Sequence, residues 1–122
     1  MGPSGSSPMI QAEVVLDEAG LLKSCRVLGH AGAGKRGEDI VCAAVSVLTR
    51  TLIRVLAGRQ DISIRGSIPE QGNFWMEADY TPEGREFLAG AGAFLVEGLL
   101  SVSAEFPDYC KVIIERRNSY GT

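Results

Sequence analysis

The stretch MIQAEVVLDEAGLLKSCRVL, residues 9–28, decides how the fold begins. The run from Met9 to Leu16 alternates, with Ile10, Ala12, Val14 and Leu16 on one face, as in a strand with one buried face. The sequence DEAG at 17–20 has the composition of a turn, and residues 21–28 can form a second strand. The chain therefore begins with a β-hairpin, which favours antiparallel pairing in the sheet that contains it.

A helix is expected after this hairpin and the glycine-rich loop that follows it. From Asp39 to Ala57, apolar residues recur every three or four positions, which is typical of an amphipathic helix. Asp39 is a suitable N-cap, and Gly58 stands just past the expected end. The apolar positions of this helix are Ile40, Ala43, Ala44, Val47, Leu48, Leu52, Val55 and Leu56.

The second half of the chain has the same order of elements. Two alternating runs, residues 61–65 and 72–80, flank the turn sequence SIPEQGN and predict a second hairpin. Thr81 followed by Pro82 is typical of the start of a helix, which we expect to continue to about Glu105. The apolar positions of this second helix are Phe87, Leu88, Ala91, Leu95, Leu99 and Val102.

The order of elements indicates the fold class. Pro107 ends the second helix, and residues 109–116 are expected to form the last strand. The order is then ββαββαβ, with more strands than helices and a hairpin at the start of each half. This order predicts an α+β fold, in which two helices pack on one face of a mostly antiparallel sheet.

Size and composition indicate one globular domain. The chain has 122 residues, of which 45% are hydrophobic and 22% charged. Residues 9–118 are expected to form the domain, and residues 119–122 a tail. The first eight residues, MGPSGSSP, are typical of a sequence left behind by an expression tag, so we expect the natural chain to start at Met9.

Charge and cysteine content exclude several classes of protein. A net charge of −3 without a basic patch argues against a nucleic-acid partner. No signal peptide is visible, and no uncharged apolar run approaches ~18 residues, so we expect no membrane span. Three widely spaced cysteines without a C-x-x-C pair suit the reducing cytoplasm. Two of them, Cys25 and Cys110, are best interpreted as small buried residues.

The run GHAGAGKRGEDIVCAAVS, residues 29–46, contains two phosphate-loop patterns. Residues 29–35 match G-x-x-x-x-G-K, and residues 32–37 match G-x-G-x-x-G. The first pattern requires Ser or Thr where Arg36 stands, and the acidic pair that follows would repel phosphate. The second lacks the βαβ unit around it. Both matches are best interpreted as coincidences in a glycine-rich loop that has to bend.

The same run contains a thiol and an imidazole that could act together. If Asp39 caps the helix, Cys42 lies in the first turn, where unpaired N–H groups stabilise a thiolate and can hold an oxyanion. His30, the only histidine, ends the second strand. The eight residues at 31–38 can return the chain to its starting point, so the imidazole could activate the thiol.

On the spacing of these residues alone, a purely structural role has the same weight as a catalytic one. Cys42 has apolar neighbours and could be a core residue, while His30 could be a surface group. Asp39 could act only as a helix cap. Ser46 is most simply a small core residue whose hydroxyl bonds back to the helix carbonyls.

The run at 29–46 resembles the signature of the ribosomal-processing cysteine proteases, the Prp family, in which His, Asp, Cys and Ser recur at fixed offsets. The resemblance implies a small, homodimeric bacterial cysteine protease without a cofactor or metal. Such an enzyme trims an N-terminal extension from a large-subunit ribosomal protein. By resemblance, His30 matches the base, Cys42 the nucleophile, and Asp39 and Ser46 the supporting positions.

The resemblance also implies how the site works. The segment 31–38 matches a flexible loop over the substrate cleft, and a peptide is the only partner besides the second subunit. Cys42 would attack the peptide carbonyl, His30 would transfer the proton, and helix amides would hold the oxyanion. The candidate substrate-contacting residues of the loop are Gly32, Gly34, Lys35, Arg36 and Gly37.

One alternative from another functional class remains open. The chain could be a non-catalytic module that binds a basic ribosomal-protein tail on an acidic face of the sheet. Trp75, Glu77 and Asp79 alternate along one predicted strand and would supply that face.

Overall fold

The computed structural model describes residues 9–29, 36–67 and 73–117. At residues 36–39 and 67 it describes the backbone but not the side chains. The expectations for residues 1–8 and 119–122 lie outside the described residues. A single turn of 3₁₀ helix, Pro82–Gly84, precedes the second helix. The elements are β1 (Ile10–Leu16), β2 (Leu22–Leu28), α1 (Arg36–Ala57), β3 (Ile62–Ser67), β4 (Phe74–Tyr80), α2 (Arg85–Glu105) and β5 (Cys110–Arg116).

The five strands form one sheet in the order β3-β4-β2-β1-β5. Three neighbouring pairs are antiparallel: β3 with β4, β4 with β2, and β2 with β1. The fourth pair, β1 with β5, is parallel and in register from Ile10 opposite Cys110 to Leu16 opposite Arg116. The predicted α+β class, element order and mostly antiparallel sheet are confirmed.

One face of the sheet is buried and the other is open. Val14 lies opposite Cys25, and Cys25 lies opposite Met76, so these three residues share a face. All three are almost fully buried. Residues of the opposite parity, such as Arg26 and Glu77, are exposed. Because only one face carries the core, both helices cover that face, with α1 packed towards β3 and α2 towards β2 and β5.

The two helices expose more apolar surface than the periodicity predicts. In α1 the buried stripe consists of Val41, Val45, Leu52 and Leu56. Four positions of the predicted apolar set are exposed instead: Ile40, Ala43, Val47 and Val55. In α2 the expected Leu88, Leu95 and Leu99 are buried, whereas Phe87 is exposed. The predicted apolar faces were therefore too broad, because apolar residues occur on several sides of each helix.

Both helices are long and apolar enough to span a membrane by length and composition alone. The window Ile40–Ala57 has a mean hydropathy of 1.9, and Pro82–Glu105 has 1.7. Both windows contain charged residues, among them Arg50 in the first and Glu97 in the second, so the prediction that no uncharged run approaches ~18 residues is not contradicted. Core helices of globular proteins share this composition, and one side of each helix here packs on the sheet.

The hairpin between β1 and β2 is anchored by a carboxylate. Asp17 Oδ1 accepts hydrogen bonds from the backbone N–H groups of Ala19 and Leu21, both at 2.9 Å. Its Oδ2 accepts a hydrogen bond of 2.8 Å from the hydroxyl of Tyr80, at the end of β4. Burial raises the pKa of Asp17, but these hydrogen bonds outweigh it and lower the pKa below its usual value. The turn is thus fixed to the far end of the second hairpin.

Candidate active site

The described segments on either side of the candidate base lie at one end of the sheet. The register pairs the start of β1 with the end of β2, where Gln11 lies opposite Leu28. The end of β2 also neighbours the start of β4, where Val27 lies opposite Phe74. The chain leaves the sheet here at Gly29 and returns as α1. Topology therefore places Gly29 and the first described residues of α1 at the same end of the molecule.

Gly29 is held in place directly before the candidate base. Its φ is +86°, a region that side-chain-bearing residues rarely adopt. Its N–H donates a hydrogen bond to Oδ1 of Asn73, at 3.3 Å. A Cβ at this position would lie 2.6 Å from the backbone oxygen of Met9. Only glycine fits here, so the backbone at position 29 has a defined place.

The first helix begins earlier than its sequence indicates. Its described part already includes Arg36, three residues before the predicted cap at Asp39, so the predicted boundary was wrong. Arg36 and Gly37, expected in the loop, belong to the helix. Cys42 consequently lies beyond the first turn, where its own N–H is paired within the helix. The unpaired N–H groups that could hold an oxyanion belong to the first turn instead.

Cys42 differs from the other two cysteines in its access to solvent. Cys25 and Cys110 are each 1% exposed, whereas Cys42 is half-buried. Burial raises the pKa of Cys25 to about 12 and also raises the pKa of Cys110. The expected burial of these two thiols is confirmed. Both remain neutral thiols without access to a substrate, which leaves Cys42 as the one cysteine suited to nucleophilic attack.

The supporting positions follow from helix geometry. Positions 39, 42 and 46 are three and four residues apart, so they fall along one side of α1. Leu48 lies on the opposite side of α1, where it is next to Gly98 of α2. The side that carries positions 39, 42 and 46 therefore faces away from α2. Within the described residues, the hydroxyl that bonds back to the helix belongs to Thr49. It donates to the carbonyls of Val45 at 3.0 Å and Ser46 at 3.2 Å.

Several candidate residues lie outside the description. His30, Gly32, Gly34 and Lys35 are outside the described residues, and Asp39 is described only as helix backbone. The pairing of His30 with Cys42 therefore stays a prediction. Within the described ranges, no group of three or more His, Cys, Asp or Glu residues could hold a metal ion.

The open face of the sheet is less acidic than the alternative interpretation requires. Glu77 forms an ion pair with Arg65, and Glu13 pairs with Arg26 at 3.6 Å. Trp75 is exposed between these charges, as its position in an alternating strand predicts. Asp79 is exposed and forms no ion pair among the described residues. A face on which Glu13 and Glu77 are matched by arginines nevertheless offers little net attraction to a basic tail.

Asn73 is the site residue that the sequence did not reveal. Its contact with Gly29 spans 44 positions, and it belongs to no motif. Only the pairing of β2 with β4 brings the two residues together.

Comparison with known proteins decides the family. The family described as Cysteine protease Prp matches residues 9–111. The chain belongs to the cysteine protease Prp family. The match covers both hairpins, both helices, the first two residues of β5 and all the candidate residues, and the chain is a cysteine peptidase.

Solved structures show the same Prp fold. SMU.848 from Streptococcus mutans has a TM-score of 0.76 at 29% identity, covering 93% of this chain and all of that one. The ribosomal processing protease Prp from Staphylococcus aureus, in complex with a substrate peptide, has a TM-score of 0.75 at 17% identity, covering 88% of this chain and all of that one. A second structure of the S. aureus protein contains a covalently linked product peptide. Its TM-score is 0.74 at 18% identity, and the match covers 88% of this chain and all of that one. A search of curated protein sequences gives no match.

Proposed function

We propose that the chain is a cysteine endopeptidase in which Cys42 is the nucleophile and His30 the base. The observation that carries the proposal is the contrast among the three thiols. A cysteine protease needs an accessible thiol, and Cys25 and Cys110 are buried. Cys42 is half-buried near the described start of α1, the helix that follows β2 in the chain.

The reaction follows the chemistry of a thiol paired with an imidazole. His30 takes the proton of the Cys42 thiol, and the sulfur attacks the carbonyl carbon of the scissile peptide. Unpaired N–H groups of the first turn of α1 stabilise the oxyanion. Breakdown of the tetrahedral intermediate transfers the proton to the leaving amine and leaves an acyl-enzyme. Water, deprotonated by His30, then attacks the thioester and regenerates the thiol.

The neighbouring positions support this chemistry. Asp39 and Ser46 share the side of the helix on which Cys42 lies, where they can orient the base and shape the cleft. Gly32, Gly34 and Lys35 belong to the segment that follows His30 and are proposed to contact the substrate peptide. Arg36 and Gly37 contribute through the start of α1 rather than through a loop.

The proposed substrate is the N-terminal extension of a large-subunit ribosomal protein. The S. aureus relative holds a substrate peptide in one structure and a covalently linked product peptide in another. A covalent product is what an acyl-enzyme mechanism leads to. The proposal includes a bacterial cytoplasmic location and a homodimeric state, both of which rest on the resemblance of residues 29–46 to the family signature.

Incubation with the precursor ribosomal protein tests this function. Cleavage is expected with the wild type and with Cys25→Ala, a matched removal of a buried thiol. No cleavage is expected with Cys42→Ser or His30→Ala, provided that circular dichroism shows both to be folded. Mass spectrometry of the product identifies the scissile bond. Cleavage that survives Cys42→Ser would disprove the assignment of the nucleophile.

A further inference from the structure

One edge of the sheet is open on the side where Cys42 lies. β3 and β5 are the edge strands, and α1 packs towards β3 whereas α2 packs towards β2 and β5. The side of α1 that faces away from α2 therefore overhangs the free edge of β3. Cys42 and Ser46 lie on this side, and Ile53 follows them at the same helical phase. All three are half-buried, so solvent reaches this side of α1.

The hydrogen-bond pattern shows which backbone groups of β3 are free. The N–H of Thr81 donates to the carbonyl of Asp61 at 3.0 Å, and these two residues lie one step beyond the first pair in the register of β3 and β4. Counted from this bonded pair, every second residue of β3 bonds to β4. The N–H and C=O groups of the others point away from β4, and among the described residues they have no hydrogen-bond partner. These residues are Ile62, Ile64 and Gly66.

The side chains of these three residues form an apolar strip that ends in an opening. They lie on the core face of the sheet, which α1 covers, because side chains alternate along a strand. Ile62 is buried, Ile64 is half-buried and Gly66 is exposed. Exposure thus increases towards the end of the sheet at which Gly29 and the described start of α1 lie. Since Gly66 has no side chain, the core face beside it has room for a side chain from another chain.

We infer that an extended substrate peptide binds by adding a sixth strand to the free edge of β3. The inference rests on the proposed function and states how the same site holds its substrate. The peptide backbone bonds to the free groups of Ile64 and Gly66, and its side chains alternate between two faces. Every second side chain enters the space between β3 and α1, where Ile53 and Ile64 favour an apolar residue. The scissile bond then lies beyond Gly66, towards Cys42.

The other edge strand provides a comparison within the same sheet. The N–H of Ile10 donates to the carbonyl of Tyr109 at 2.9 Å, and this phase points the backbone groups of Ile114 towards the free edge of β5. Ile114 therefore has the place on this edge that Ile64 has on the other. Four strand spacings of about 4.8 Å, or ~19 Å, separate the two edges. A peptide on β5 would lie beside α2, away from Cys42.

Steady-state cleavage kinetics with paired variants tests the edge. The substrate is a synthetic peptide that covers the N-terminal extension of the precursor ribosomal protein and the residues after it. Ile64→Pro removes the outward N–H, and an edge strand tolerates proline where its N–H faces solvent. Ile64→Ala also loses the side chain but keeps the N–H. The kcat/KM of Ile64→Pro is expected to be about tenfold below that of Ile64→Ala.

The same two substitutions at Ile114 are the matched control. They remove the equivalent N–H from the other edge of the sheet, so their kcat/KM values are expected to be equal. Circular dichroism checks that all four variants are folded. Equal kcat/KM values for Ile64→Pro and Ile64→Ala, with both folded, would overturn the inference.

N-methylation of single peptide bonds in the substrate tests the pairing on the wild-type protein, whose fold stays unchanged. Each methyl group removes one N–H and keeps that bond from approaching a strand. On one side of the scissile bond, N-methylation is expected to lower kcat/KM about tenfold at every second residue and to have little effect between them. A peptide held only through its side chains would not show this period of two.

The outcomes distinguish failure of this inference from failure of the proposed function. Cleavage of the unmodified peptide without a period of two would overturn the added strand and leave the protease intact. If the wild type cleaves no peptide, the proposed function fails, and amide NMR spectra with added peptide decide the inference separately. Shifted amide signals of Ile62, Ile64 and Gly66 would support it. Unchanged signals there, or a shift of Ile114 instead, would overturn it.

Discussion

The backbone N–H of Gly29 donates a hydrogen bond to Oδ1 of Asn73, joining two positions 44 residues apart at a distance of 3.3 Å. The contact fastens the end of β2 to the residue before β4. Gly29 directly precedes His30 in the chain, so the hydrogen bond fixes the backbone immediately before the candidate base. The side chain of Asn73 is thereby a candidate for positioning the base, although it touches no reacting atom.

Replacement of Asn73 by alanine is expected to lower kcat about tenfold while KM changes little, because the base is less well placed once substrate is bound. Asn73→Asp keeps an acceptor oxygen and is expected to recover most of the activity. Steady-state kinetics on a peptide spanning the cleavage site measures both. The free energy of unfolding is expected to change by less than ~1 kcal/mol, since the contact is exposed. Equal activities of Asn73→Ala and wild type would rule out a positioning role.

Replacement of Gly29 by alanine is expected to destabilise the protein by more than ~1 kcal/mol. The new Cβ would meet the backbone oxygen of Met9 at 2.6 Å, and the φ of +86° is unfavourable for alanine. Gly58→Ala is the matched control, because a Cβ there meets nothing within 4 Å and the φ is not positive. It is expected to stabilise by about 0.5 kcal/mol. Urea unfolding compares the two, and similar stabilities would contradict the description of Gly29.

Alkylation of the native protein is expected to modify Cys42 first. Burial raises the pKa of Cys25 to about 12, so near neutral pH this thiol is both protonated and inaccessible. Cys110 is similarly buried. Iodoacetamide followed by peptide mass spectrometry should therefore label position 42 in the folded state and all three positions in urea. Labelling of Cys25 or Cys110 at the rate of Cys42 would be inconsistent with the observed burial.

Removal of the Tyr80 hydroxyl is expected to change the response to acid. The pKa of Asp17 is lowered in the folded state, so its carboxylate stabilises the fold above the unfolded pKa of about 3.9. This contribution is lost as the pH falls through the lower, folded pKa. Tyr80→Phe removes one of the hydrogen bonds that lower the pKa and is expected to cost about 1 kcal/mol near pH 7. The difference from wild type should shrink as the pH falls below about 4.

Urea unfolding at several pH values measures this difference. Tyr109→Phe is the matched control, because the Tyr109 hydroxyl has no hydrogen-bond partner among the described residues. A Tyr80→Phe variant whose deficit stays constant down to the lowest pH would show that the hydroxyl does not act through the Asp17 carboxylate.

The elements of the fold could be predicted because each depends on local pattern. Alternation identified the strands, and the spacing of apolar residues identified both helices. The start of α1 was misplaced because Asp39 is acidic, and acidic residues suit the first turn of a helix as well as the cap. Because apolar residues occur on several sides of α1, the sequence did not reveal which side is buried. Ile40 and Val47 look like core residues in sequence, yet they face solvent.

The candidate site was predictable only in part. The spacing of positions 39, 42 and 46 placed them on one side of a helix, and their resemblance to a family signature gave them roles. Asn73 could not be found, because its contact with Gly29 exists only once β2 and β4 have paired. The burial of Cys25 depends equally on the sheet, where Val14 and Met76 flank it from neighbouring strands.

The parallel pairing of β1 with β5 bears on when the protein can fold during its own synthesis. Ile10 meets Cys110, so a ribosome must have translated about a hundred further codons before the first strand obtains its second neighbour. Until then one edge of β1 stays open while its hairpin partner is already present. The nascent chain consequently cannot complete its sheet early, and a proteolytic activity that depends on this sheet arises only after most of the polypeptide has left the ribosome.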